Sequence, residues 1–203
     1  MPIFYEPSKG HGLPHDPFKA IVAPRPIGWI STRAADGSFN LAPFSFFNAV
    51  SDHPHIVMFS SVDGKDSAVH ARASGEFVAN LVSHDLVHKM NASSVDAPRG
   101  VSEFDYAGLT PVPSRFVAAP RVGEAYAALE CKVTDIYQPK ALDGAASKYV
   151  MVLGEVVGVH IDDAVMTDGL FDIVKAGSVA RLGYMDYAAV SEVFSLLRPR
   201  WEE

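Results

Sequence analysis

Pro24-Arg25-Pro26-Ile27-Gly28-Trp29-Ile30-Ser31-Thr32, then a turn at Ala35-Asp36-Gly37-Ser38, then Asn40-Leu41-Ala42-Pro43-Phe44-Ser45-Phe46-Phe47-Asn48 make up the stretch that decides the fold. The first segment opens at a Pro-X-Pro brake and runs extended to Ser31-Thr32. Asp-Gly between two apolar runs is a strong hairpin signal, because glycine takes a positive φ at no steric cost. The return strand, read as continuing to Asn48, sets Ser45 and Asn48 among Phe44, Phe46 and Phe47. Buried hydroxyls and amides need partners, so these two either bond backbone or meet a ligand.

Outward from this hairpin, residues 1–20, running on to 23, are rich in Pro, Gly and His and read as an irregular lead-in anchored by Phe18, Ile21 and Val22. Asp52-His53-Pro54-His55 breaks the chain before a third strand over 56–61. Asp63-Gly64 turns, and Asp66 or Ser67 serves as N-cap of a short helix through Arg72 that Gly75 ends. A fourth strand is expected over 76–82. A helix follows over 84–92, with Leu86, Val87 and Met90 on its apolar side. Pro98, Gly100, Gly108, Pro111, Pro113, Pro120 and Gly123 argue against long regular elements in 93–125. Ala127, Leu129, Cys131 and Val133 alternate with Glu130, Lys132 and Thr134, the pattern of a strand with one buried face. Residues 148–161 are almost all apolar or Gly and predict a strand covered on both faces. Residues 187–197 read as an amphipathic turn or short helix. About six strands with two or three short helices give a mainly β protein, a β-barrel core with helical additions. A doubly wound α/β sheet is the rival, weakened by the hairpin and by the lack of crossover helices of adequate length.

The chain has 203 residues, 48% hydrophobic and 20% charged, within the range of ordinary globular proteins, and one domain over 1–203 is expected. A net charge of −7 provides no basic field for nucleic acid or an anionic membrane. The single cysteine, Cys131, excludes an internal disulfide and any cysteine-rich metal site. The first residues lack a basic segment followed by an apolar one, and no apolar run approaches the roughly 20 residues of a membrane helix. A cytoplasmic, soluble protein is the expectation.

Three hydroxyl-rich strand ends stand out: Ser31-Thr32, Ser45 to Asn48, and Ser60-Ser61. The last leads through Asp63-Gly64 into Lys65-Asp66-Ser67, where a helix begins. A helix start offers unpaired N–H groups and partial positive charge, so a phosphate suits it, with Lys65 adding charge and Ser67 a donor. An ordinary capped helix with a solvated lysine explains the same residues. What favours a ligand is the aromatic block nearby and Trp29, which together make a flat apolar slot beside a phosphate clamp.

The run from Pro24 to Thr32, Asp36-Gly37 and the block from Asn40 to Asn48 resemble the flavin reductase-like, FMN-binding split-barrel family. Lys65-Asp66-Ser67, Glu76-Phe77-Val78-Ala79-Asn80-Leu81 and Arg181-Leu182-Gly183 do so too, and the matches run in order from about residue 20 to 197. The resemblance implies a homodimeric antiparallel split barrel with FMN near the subunit interface. It also implies NAD(P)H-dependent flavin reduction, or electron transfer through bound FMN. The partners implied are NADH or NADPH as donor and a flavin-using monooxygenase or redox partner protein as acceptor. On the same resemblance Ser31, Thr32, Ser45, Phe46 and Asn48 line the flavin, and Trp29 sits beside its ring. Ser60, Ser61, Lys65 and Ser67 hold its phosphate end, and Arg181 and Gly183 lie close to the cofactor. The chain departs from the family pattern at His53-Pro54-His55, where paired prolines are common, and at Tyr184, where a second glycine is.

Hydride transfer between nicotinamide and flavin needs stacking and a dry site, and the cofactors carry the chemistry. No classical catalytic residue is therefore assigned. An FMN-binding electron carrier reduced by a partner protein is the alternative function. A third reading is a metal-dependent hydrolase built on His84 and His88, which are spaced i, i+4 as in a zinc-protease helix but with Asp85 in place of Glu and no third ligand. Trp29 is equally well read as core filler, and at least one of Phe44, Phe46 and Phe47 is expected to be core only. His53 and His55 read as surface or interface residues, Cys131 as an inert buried thiol, and Asp162-Asp163 as a solvated turn.

Overall fold

Gly37, at φ +91°, closes the turn 34–38, and the Asp36 carboxylate accepts from the Ser38 amide at 2.9 Å and its hydroxyl at 2.6 Å. This turn joins β1 (Gly28–Arg33) to β2 (Phe39–Phe44), paired in register from Gly28 opposite Phe44 to Arg33 opposite Phe39. The computed structural model describes residues 2–98 and 101–201, so Met1 and Gly100 of the sequence reading lie outside it.

The return strand does not continue to Asn48. It stops at Phe44, bends at Ser45 and Phe46, and a new strand β3 (Phe47–Asp52) pairs with β4 (His55–Val62). Helix α1 (Asp66–Ser74) follows and ends at Gly75, which takes the left-handed φ of +73° that a C-terminal cap favours. Strands β5 (Glu76–Asn80), β6 (Ala127–Tyr137) and β7 (Tyr149–Ile161) complete a sheet of order β2-β1-β5-β6-β7-β4-β3. Every neighbouring pair in it is antiparallel, which rules out the doubly wound parallel arrangement.

The two outermost strands, β2 and β3, are consecutive in the chain with only Ser45 and Phe46 between them. The sheet therefore curls until its edges approach. Phe44 on one edge lies 5.1 Å, ring to ring, from Phe59 of β4, and a Cβ on Gly28 would fall 2.4 Å from the Phe47 ring. The result is a mainly β barrel split along one seam, with short helices added.

Alternation along β1 sends successive side chains to opposite faces, and both faces are covered. Ile30 points into the barrel with Val57, Phe59, Phe77, Cys131 and Val152. Phe59 and Phe77 meet edge to face at 5.1 Å, and a Cβ on Gly154 of β7 would come within 2.5 Å of the Phe77 ring. Trp29 points the other way, into a second core with Leu41, Leu86, Met90 and Phe104, closed by α2 (Val87–Ala92) and α3 (Glu103–Ala107). A small sheet of Arg25–Pro26, β8 (Val179–Arg181) and β9 (Tyr187–Ala189) flanks the barrel.

Three local expectations are corrected. The segment 84–92 is a 3-10 turn, His84–Leu86, followed by α2, so His84 and His88 do not share one continuous α-helix. β7 is not covered on both faces near its end: Val150 and Val152 are buried, but Val159 and Ile161 stay 55% and 45% exposed, with none of the described residues closing over them. After β9, residues 190–201 form no helix. An isolated short helix needs a packed apolar face, and the tail finds none here.

Gly154→Ala should lower unfolding free energy by about 1–3 kcal/mol, since the added methyl must push the buried Phe77 ring off its place. Urea denaturation followed by tyrosine and tryptophan fluorescence checks this, and an unchanged midpoint would mean that the barrel interior has room to spare.

Candidate functional site

Gly64, at φ +88°, reverses the chain from the end of β4 into α1, and the Lys65 amide donates to the Val62 carbonyl at 3.2 Å. Lys65 is the extended residue ahead of the first helical turn, and no side chain caps that turn. The expected N-cap is thus not formed. Ser67, one of the two candidates, is buried, and its Oγ accepts instead from Nδ2 of Asn40 on β2 at 2.8 Å. The first N–H groups of a nine-residue helix are left facing outward without a side-chain acceptor, a place that favours an anion.

These groups border a cleft of about 500 Å³ between β2, the end of β4, the start of α1 and the segment 93–97. Ser60, Ser61, Lys65 and Ser67 line it, as do Pro43, Phe44 and Tyr149. The Ser60 amide donates to the Phe46 carbonyl at 2.8 Å, tying β4 to the seam, while its hydroxyl makes no bond to the described residues. The Ser61 hydroxyl donates weakly to the Val62 carbonyl at 3.2 Å. Phe46 does not line the cleft itself, but its ring stands 6.0 Å from that of Tyr149, which does. Hydroxyls, one ammonium and an open helix start beside an apolar wall fit a phosphate ester carrying a flat ring.

The lining is not uniformly positive. Lys65 forms an ion pair with Asp96 in which both side chains are largely exposed, and the lysine's hydrogen bond and charge hold the Asp96 carboxyl below its usual range. An exposed pair of this kind contributes little and is easily exchanged for a better anion. Glu103 is buried at the cleft floor, where it accepts from the Leu41 amide at 3.1 Å. Burial, with Asp66 nearby, pushes its carboxyl pKa up.

The other residues singled out from the sequence lie elsewhere. Trp29 is fully buried in the second core, with its indole N–H donating to the Ser93 hydroxyl at 2.8 Å, so within this chain it is core and not slot. Ser31 is also fully buried. Its hydroxyl donates to the Pro120 carbonyl and accepts from Asn80 Nδ2 at 3.1 Å. Thr32 is buried against Nδ1 of His70 at 3.3 Å. Ser45 is half-buried at the seam, and Asn48 is exposed, its carbonyl oxygen accepting from the Ala49 amide at 2.9 Å. Arg181 and Gly183 sit in and beside the small flanking sheet and do not line the cleft. Arg181 stacks 4.3 Å over Tyr187, and Gly183 gives the close approach to Ala20, where a Cβ would be 2.4 Å away. Tyr184 takes a left-handed φ of +53° and leaves its ring half exposed against His15.

Burial and the neighbouring Glu130 carboxylate push the Cys131 thiol up to about 12, so it holds its proton. Among the described residues no group of three His, Cys, Asp or Glu is placed to hold a metal, and no helix is long and apolar enough to cross a membrane. Asn40, Tyr149, Glu103 and the 93–97 segment line the cleft without having been singled out. Asn40 was legible as an amide two positions from Ala42 on one face of β2. Glu103 and 93–97 fall in the breaker-rich stretch, where no periodicity reports which side chain faces what.

A family model described as a flavin reductase like domain matches residues 22–176. An uncharacterized protein of Aquifex aeolicus is 37% identical over 175 residues, covering 80% of this chain and 83% of the relative. Among solved structures, nitrilotriacetate monooxygenase component B from Bacillus cereus superposes with a TM-score of 0.86 at 25% identity, over 97% of this chain and 99% of that one. The 2-nitrobenzoate 2-nitroreductase of Pseudomonas fluorescens does so with a TM-score of 0.79, also at 25% identity, over 92% and 90%.

The raised Glu103 pKa has a sign that can be tested. A carboxyl whose pKa is raised by folding stabilises the folded state fully below its unfolded pKa, and that contribution is lost as pH rises through the folded value. Glu103→Gln should remove this decline, so that its melting temperature gains on the parent's as pH is raised from about 4 to 8. A pH-independent difference would mean that Glu103 titrates normally.

Proposed function

The chain belongs to the flavin reductase-like domain family, and on that premise we propose that it binds FMN in the cleft at the start of α1 and reduces it with NADH or NADPH. The observation that carries the proposal is the convergence of Ser60, Ser61, Lys65 and Ser67 on an uncapped helix start beside an apolar wall. The phosphate takes the helix N–H groups and the free Ser60 hydroxyl, and Lys65 exchanges Asp96 for it. Phe44, Pro43 and Tyr149 provide the dry flank on which a ring stacks. Bound FMN supplies the hydride acceptor, and no side chain has to act as nucleophile or general acid.

A homodimer is part of this reading, with the ring end near the subunit interface, where Arg181 and Gly183 would approach it. The Bacillus neighbour is named as a monooxygenase component and the Pseudomonas one as a nitroreductase. Both names support onward electron delivery, either to a flavin-using partner or directly to an organic acceptor.

Anaerobic titration with NADH and NADPH, read at the flavin absorbance band, tests the proposal. Bleaching by either nucleotide is expected. Binding of FMN without bleaching would point to a carrier reduced by a partner protein, and no binding of FMN would remove both readings. Lys65→Ala should weaken FMN affinity by about 1–3 kcal/mol, the loss of a charge-assisted contact. Asp96→Asn should strengthen affinity by about twofold or more, because it frees Lys65 at the cost of only an exposed ion pair. Opposite changes in fluorescence titrations of the two variants would place the phosphate away from Lys65.

A further inference from the structure

We propose that residues 191–201 of each copy cross to a second copy and cover the apolar hollow at the end of β7. This takes up the homodimer proposed above and assigns the means by which its two copies hold together.

The hollow measures about 370 Å³ and is lined by Ile27, Leu129, Val159, Ile161, Phe171 and Val179, among others. Part of its rim is large apolar surface left 38–55% open to water at Val159, Ile161 and Phe171. The tail has the complementary defect. Val193, Phe194, Leu196, Leu197 and Trp201 are 67–99% exposed, five large apolar side chains within eleven residues. Single exposed apolar residues are ordinary, but a contiguous run of them marks an interaction segment.

Its point of departure ties the tail to the hollow. The Val190 amide donates to the Ser178 carbonyl at 2.9 Å, and Ser178 and Val179 are themselves part of the hollow's wall. From 191 onward no backbone hydrogen bond joins the tail to the described residues of its own chain. None of residues 191–201 lines the hollow of its own chain, and Ser191-Glu192-Val193-Phe194-Ser195 contains neither Gly nor Pro to favour a turn back towards it. Extended, eleven residues span about 36 Å, ample to reach across a neighbouring copy. Because each copy has one tail and one hollow, a two-fold pair satisfies both and leaves no open end.

The test uses two full-length preparations, Val159→Cys and Phe194→Cys, and a short-spacer bismaleimide. Both positions are exposed, and Cys131, buried and protonated, stays silent. Covalent dimers are expected when the two preparations are mixed and allowed to exchange. The chain carrying both substitutions should give intermolecular products. An intrachain link in that doubly substituted chain, or no link while sedimentation shows a dimer, would overturn the proposal. A chain ending at Val190 should dimerise at least tenfold more weakly by sedimentation, and unchanged dimerisation would overturn it too. FMN titration of the full chain is read separately, so FMN binding with an unexchanged tail would leave the functional reading standing. A full chain that binds FMN as a monomer would remove the homodimer and the tail exchange together.

Discussion

Two residues, Ser45 and Phe46, join strands that lie at opposite edges of a seven-stranded sheet, and this short tether governs the rest of the structure. A chain that must pass from one edge to the other in so few residues can do so only if the sheet is rolled. The rolling brings Phe44 against Phe59 and makes glycine necessary at position 28, where any side chain would meet Phe47. It also carries the inner face of β2 to the end of β4, and so sets Asn40 beside Ser67 and Phe44 beside Ser60. The cleft at the start of α1 is a by-product of closing the barrel.

The electrostatics of that cleft leave backbone and hydroxyl groups to do much of the binding proposed there. One ammonium, Lys65, shares the cleft with Asp66 and Asp96 in a chain whose net charge is −7. A general positive field is absent, so a dianion is attracted only where the uncapped N–H groups and the serines are concentrated. The Lys65–Asp96 pair keeps the lysine extended over the cleft mouth in the meantime, at small cost because both partners remain in water.

Much of this was legible in the residues. The Asp-Gly turn, the Gly75 stop and the Lys65 helix start each carry a local physical signature, and each falls where that signature puts it. The proposed phosphate side of the cleft was readable for the same reason, since Ser60 to Ser67 is one contiguous stretch. The alternation of β6 fails at Glu130, expected on the polar face but fully buried, where its carboxylate accepts from the Arg115 and Phe116 amides. What escaped depends on contacts between distant segments. Trp29 alternates with Ile30, and nothing local says which of the two faces the barrel and which the helical layer. The break at Ser45-Phe46 is invisible in a run of apolar residues that would pair equally well as one strand. The apolarity of β7 predicts cover on both faces, whereas Val159 and Ile161 lie open among the described residues, and the tail, expected to be an amphipathic turn or short helix, forms no helix.

The central claim is that the cleft grips a phosphate where α1 begins, and a comparison of FMN with riboflavin tests it most directly, because the two share the ring and differ in that group alone. Equilibrium titration of the purified chain with each flavin should give FMN an affinity at least about tenfold higher, the worth of one charge-assisted contact. Equal affinities would contradict the claim, since a site that does not sense the phosphate cannot be holding it at the helix start.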